Sequence, residues 1–197
     1  TIYQLGELQT LSQACRELGL PLFVDGARLG YGLTAEGADI DIHDMARLAD
    51  VFTIGGTKQG ALFGEAIVFT DPERAKDFRY HLKQRGGMLA KGWLLGAQFE
   101  ALLKDDLYLS LSQHANALAL MLRDGLAAQG WRLHGHSPSN QQFVWLPTAV
   151  ANKLREHCAF GTLEHGEGEC MVRFCTSWAT KEDDVRALLD VLSHLRA

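Results

Sequence analysis

Apolar positions near the start of the chain switch between two spacings. Leu8, Leu11, Cys15 and Leu18 recur every three or four residues, as on one face of a helix, and Gly19 follows as a C-cap. The run Pro21-Leu22-Phe23-Val24 is then unbroken, as in a short buried strand, and stops at Asp25. The cycle repeats. Ile42, Met45, Ala46 and Ala49 share a helical face in DIHDMARLA, which feeds the apolar run VFTI at 51–54. That run ends at Gly55-Gly56, and Thr57 and Lys58 follow. GEAIVF at 64–69 predicts a third strand. Helix and strand alternate in this way in α/β proteins, so a mostly parallel sheet is expected.

Asp71-Pro72 supplies an N-cap with proline at the first helical position, which predicts a helix to about Gln84. Beyond Gly86-Gly87, one helix is predicted through Leu95, Phe99 and Leu102, and a longer one through Leu111, Ala115, Leu118, Leu122 and Leu126. From about residue 130 glycines and prolines punctuate strand-like runs, QQFVWL and ECMVRFCTS. A closing helix, capped by Thr180 and Asp183, packs through Val185, Leu188, Leu189, Leu192 and Leu195. The expected organisation is a larger α/β part over 1–105, a connecting helix over 106–129 and a smaller α+β domain over 130–197.

Composition narrows the function classes. The 197 residues are 47% hydrophobic and 22% charged, as in an ordinary globular protein. A formal net charge of −5 argues against a nucleic-acid or anionic-membrane surface. No apolar stretch has the length of a membrane span, and TIYQLGEL lacks the basic flank and apolar core of a signal peptide. Cys15, Cys158, Cys170 and Cys175 lack zinc-site spacing and are few for a disulfide framework, which fits a reducing cytoplasm. His134 and His136 have no cysteine or carboxylate at a useful spacing, so no metal is expected. Trp93, Trp131, Trp145 and Trp178 read as packing residues, since no basic residues interleave with them.

Ligands of open parallel sheets sit beyond the carboxyl ends of the strands, and Asp25 and Lys58 each fall just after such an end. An amine and a carboxylate at neighbouring strand ends match the needs of pyridoxal phosphate: a Schiff-base partner, and an anion that keeps the pyridine nitrogen protonated. The competing readings are a strand-to-helix turn with a surface ion pair, and a solvated loop lysine. The glycine-flanked loop is not a P-loop, because the GxxxxGK[ST] pattern is absent.

LFVDGARLGYGL, followed after a helix by GGTKQGALFGEAIVF, resembles the threonine aldolase and β-eliminating lyase family of pyridoxal-phosphate enzymes. The resemblance implies part of an aminotransferase-like large domain followed by a small domain. It implies that Asp25 pairs with the pyridine nitrogen, Lys58 forms the Schiff base, Arg28 lies near the phenolic oxygen or the phosphate, and Thr57 helps to position the cofactor. Arg173 in CMVRFCTS matches the family's arginine for the substrate carboxylate; a guanidinium can grip a carboxylate with two parallel bonds, as lysine cannot. A strand arginine reaching solvent or an acid is the alternative. In QRGGMLAKGWLLG the sequence departs from the family, with Leu89 where many members carry arginine; Arg85 and Lys91 are the nearby cations.

The implied reaction is retro-aldol cleavage of a β-hydroxy-α-amino acid, with threonine giving glycine and acetaldehyde, in a cytoplasmic homodimer or homotetramer acting on a small amino acid. A carbon–sulfur or aromatic β-eliminating lyase, and a non-catalytic assembly fragment, are the alternatives, because Asp25 and Lys58 would serve any pyridoxal enzyme. Only 24 residues precede Asp25, and the chain starts with Thr1. The family's ring-stacking histidine and much of its phosphate cradle lie upstream of the DGAR motif. Three strands are also few beside the five or six of a typical doubly wound sheet. A missing N-terminal half is therefore expected.

Overall fold

The computed structural model describes residues 2–196. They divide into two compact units, one of residues 3–33 and 38–110, the other of residue 2 with 34–37 and 111–196.

The first unit begins with helix α1 (Leu5–Glu17), opened by a capping box in which Gln4 and Glu7 exchange side-chain and backbone bonds. Its expected apolar stripe is only partly buried. Leu8 is covered, whereas Leu11 and Leu18 are exposed, and the buried neighbour of Leu8 is Ser12, whose hydroxyl donates to the carbonyl of Leu48 at 2.6 Å. Strand β1 (Phe23–Val24) is brief and leads through the DGAR turn into the short helix α2 (Leu29–Leu33). Helix α3 (Ile42–Leu48) is capped by Asp41 and Asp44 and buries Met45, with Ala49 buried just beyond it. Ala46, expected on the same face, is exposed.

Strands β2 (Val51–Gly55) and β3 (Glu65–Phe69) complete a three-stranded sheet of order β1-β2-β3. The expectation of a mostly parallel sheet holds between β1 and β2 and fails between β2 and β3, which pair antiparallel with Val51 opposite Phe69. Residues 56–64 explain this: a parallel return needs a crossover of roughly a dozen residues or more, and this connection is shorter.

The single helix expected from Asp71 to Gln84 is two pieces. A 3-10 turn (Pro72–Ala75), capped by Asp71, ends before Asp77 at φ 63°, and α4 (Phe78–Gln84) starts afresh. The redirected chain sets the Phe78 ring 4.9 Å from that of Phe69 on β3. Helix α5 (Trp93–Leu103) buries Phe99 and Leu102, and α6 (Leu107–Ala128) follows.

In the second unit β4 (Arg132–Leu133), β5 (Gln141–Pro147), β6 (Gly161–His165) and β7 (Glu169–Cys175) form an antiparallel sheet of order β4-β5-β7-β6. Alternation along β5 and β7 sends Val144, Leu146, Val172 and Phe174 to one side. There they pack with Leu118, Leu122 and Leu126 of α6, Leu154 of α7 (Thr148–Leu154) and Leu192 of α8 (Glu182–Arg196). Trp131 joins this core, whereas Trp93 and Trp178 are exposed and do not pack as the sequence pattern suggested. No helix among the described residues is long and apolar enough to cross a membrane.

Candidate active site

Parallel pairing of Phe23 with Val51 and Val24 with Phe52 makes β1 and β2 end side by side, so the turns that follow them are neighbours. One turn carries Asp25 and Arg28, the other Thr57 and Lys58. The two are laced together by their main chains. Gly26 N–H donates to the Thr53 hydroxyl at 2.8 Å, and Gly55 N–H donates to the Gly26 carbonyl at 3.0 Å. Glycine is required at this seam: a Cβ on Gly26 would overlap the Thr53 carbonyl, and one on Gly55 would lie 2.5 Å from the carbonyl oxygen of Ala27.

Lys58 lies in a 3-10 turn (Thr57–Gln59) closed by Gly60 at φ 103°. Thr57 and Lys58 are exposed, and Lys58 Nζ reaches the carbonyl oxygen of Ala27 at 3.4 Å, between Asp25 and Arg28 in sequence. Asp25 is exposed, and its Oδ1 accepts the Ala27 N–H at 3.0 Å. Arg28 is half-buried, and its Nε is enclosed with no hydrogen-bond partner. Gln59 is fully buried, with both amide atoms likewise unpartnered. The structure therefore places Asp25, Arg28, Thr57 and Lys58 in neighbouring turns beyond the carboxyl ends of β1 and β2.

Two tyrosines belong to the same region, and the sequence did not single them out. Tyr31 donates its hydroxyl to the Lys58 carbonyl. Tyr108 donates to the Gly55 carbonyl at 3.0 Å and accepts the Gly30 N–H at 3.2 Å. Burial pushes the Tyr108 phenol up to about 12, so it remains a donor at neutral pH.

Arg173 belongs to the second unit, on the β7 face opposite the core, paired in register with Phe143 on β5 and Gly161 on β6. A Cβ on Gly161 would lie 3.8 Å from Arg173 Nε and Nη2, so the guanidinium passes directly over a residue without a side chain. Its Nε is buried and has no partner. Arg85, Leu89 and Lys91 are all exposed. The His134 ring accepts the Trp145 indole N–H at Nδ1, 3.3 Å away. Among the described residues no group of three or more His, Cys, Asp or Glu is arranged to hold a metal.

The side chains beyond the carboxyl ends of β1 and β2 fit pyridoxal phosphate. They offer an exposed amine, an exposed carboxylate, a guanidinium Nε lacking an acceptor, and glycines that bring the main chain close.

The family model described as beta-eliminating lyase matches residues 1–148. The chain is 35% identical over 189 residues to the low specificity L-threonine aldolase of Pseudomonas aeruginosa, covering 95% of this chain and 54% of that protein. It is 34% identical over 190 residues to the enzyme of the same name from a Pseudomonas species, again covering 54% of it. The chain thus spans about half the length of these curated relatives. Among solved structures, Leishmania major threonine aldolase superposes with a TM-score of 0.96 at 43% identity, over 99% of this chain and 57% of that one. Serine palmitoyltransferase of Sphingomonas wittichii, at 15% identity and a TM-score of 0.68, shares the fold alone.

Proposed function

The chain belongs to the beta-eliminating lyase family, and on that premise we propose that it carries the lysine-bearing part of a pyridoxal-phosphate lyase cleaving β-hydroxy-α-amino acids, with L-threonine giving glycine and acetaldehyde. The observation that carries this reading is the Lys58 amine at 3.4 Å from the Ala27 carbonyl, inside the Asp25–Arg28 turn.

When bound, the cofactor supplies an electron sink for the pair left at Cα as the Cα–Cβ bond breaks. Lys58 would hold it through Nζ. Asp25 holds a proton on the pyridine nitrogen, because a carboxylate stabilises the charged form of a neighbouring base. Arg28 would offer its unpartnered Nε–H to an oxygen of the cofactor, and the Thr57 hydroxyl would help to position it. Arg173 binds the α-carboxylate of the substrate through two parallel N–H bonds. The working form is a homodimer or homotetramer in the cytoplasm, acting on a small amino acid.

The native gene product, supplied with pyridoxal phosphate and L-threonine, is expected to release glycine and acetaldehyde at roughly 1 per second or faster. Pyruvate and ammonia instead, from a β-substituted amino acid, would make it a β-eliminating lyase. Neither product set, with no cofactor on Lys58, would overturn the enzymatic reading and favour an assembly role.

A further inference from the structure

A lysine on a flexible four-carbon stem is aimed by its main chain, and the main chain around Lys58 is intrinsically loose. Gly55 and Gly56 precede it and Gly60 closes its turn, so the loop carries a large conformational entropy that something must restrain. Within the turn, the N–H groups of Gln59 and Ala61 both donate to the Gly56 carbonyl, at 2.9 and 3.0 Å. These bonds shape the turn without fixing it to anything else.

Gly55 is held at its N–H by the Gly26 carbonyl, and two phenols anchor the carbonyls on either side of the turn. The Lys58 carbonyl takes the hydroxyl of Tyr31, which stands on α2 directly beyond the Asp25–Arg28 turn. The Gly55 carbonyl, on the other side of the lysine, takes the hydroxyl of Tyr108 on α6, and the oxygen of that hydroxyl accepts the Gly30 N–H from α2. Tyr31 and Tyr108 are 1% and 2% exposed, so neither hydroxyl is a surface accident: a buried phenol without a partner is costly, and phenylalanine would have filled the same space.

We propose that Tyr31 and Tyr108 are positioning residues, two buried phenols that fix the main chain on either side of Lys58 and so set where its amine stands beside the Asp25–Arg28 turn. The inference rests on Lys58 being the cofactor's attachment point. Neither tyrosine need touch the cofactor or the substrate; each acts through Lys58. Both hydroxyls also tie back to α2, so the clasp keeps the lysine turn and the acid turn in one register.

The test uses Tyr31→Phe and Tyr108→Phe in the native gene product, with Ser12→Ala as control. Ser12 is equally buried and its hydroxyl also holds a carbonyl, that of Leu48, so its loss destabilises the same unit without touching the clasp. Two quantities are read in the cofactor-free protein: hydrogen exchange at the Gln59 and Ala61 amides, and the rate at which Lys58 captures added pyridoxal phosphate, trapped with borohydride and located by peptide mass. Each Phe variant is expected to speed exchange and slow capture by about tenfold, the scale of one lost hydrogen bond, while Ser12→Ala lowers the melting temperature and moves neither. Unchanged exchange and capture in both Phe variants, or equal changes in Ser12→Ala, would overturn the proposal. If the unaltered protein leaves Lys58 unmodified, the cofactor reading fails instead, and the exchange rates decide the clasp by themselves.

Discussion

At the scale of single residues, the proposed roles are attachment by Lys58, tuning by Asp25 and selection by Arg173. Lys58→Ala should abolish covalent capture of pyridoxal phosphate; a borohydride-stable adduct persisting in that variant would show that another amine does the work. Asp25→Asn should keep the adduct, since Lys58 is intact, yet lower kcat by about a hundredfold or more, because an amide gives no charge with which to hold a proton on the ring nitrogen. Turnover equal to the parent would remove Asp25 from the site. Arg173→Lys should act on KM for the amino acid and leave the cofactor absorbance alone. Losing the fork of two charge-assisted bonds costs on the order of 1.5–3 kcal/mol, and a KM within twofold of the parent would contradict the role. Asp25 and Lys58 stood out in the sequence because each falls just after the end of an apolar run. The enclosed Nε of Arg28 was not legible, since burial of one atom depends on neighbours distant in sequence.

At the scale of elements, Tyr108 links the middle of the chain to its beginning, and that link has a pH signature. Its folded-state value, about 12, lies above the ordinary tyrosine value of 10, with burial as the main cause. A group whose folded value is raised binds its proton more tightly in the native state. The stability it contributes is therefore complete below about pH 10 and is lost as pH rises through about 12. Denaturant unfolding of the parent should weaken by roughly 2–3 kcal/mol more than that of Tyr108→Phe across this window; parallel curves would mean that the phenol is not buried as described. Elements of moderate length were legible from periodicity: α3, β2, β3, α5, β5, β7 and α8 fall where apolar spacing places them. Those missed are short or half-solvated. β4 has two residues, β6 is an edge strand whose Leu163, Glu164 and His165 are exposed, and α7 follows directly from Pro147. None carries enough apolar repeat to register.

At the scale of the whole molecule, exposed apolar side chains are unevenly distributed. The first unit displays Leu18, Leu20, Phe23, Leu62, Trp93 and Leu94, with Leu62 at 83% and Trp93 at 68% exposure, and β1 leaves one edge of its sheet unpaired. Surfaces of this kind are normally covered. Residues 1–197 should therefore self-associate, sedimenting well above 21.7 kDa. A monodisperse monomer would count against this.

The sequence by itself determined the α/β character of the first unit, the α+β character of the second, and the two turns bearing Asp25 and Lys58, because strand ends, caps and apolar period are local properties of a chain. Tertiary structure decided the rest. The antiparallel return of β3 follows from how the short 56–64 connection closes in space. The glycine at 161 matters only because β6 pairs with β7 and brings it opposite Arg173. The hydroxyls of Tyr31 and Tyr108 find their carbonyls 27 and 53 positions away along the chain. Contacts of that range are set by which faces pack together, and no local pattern of residues encodes them.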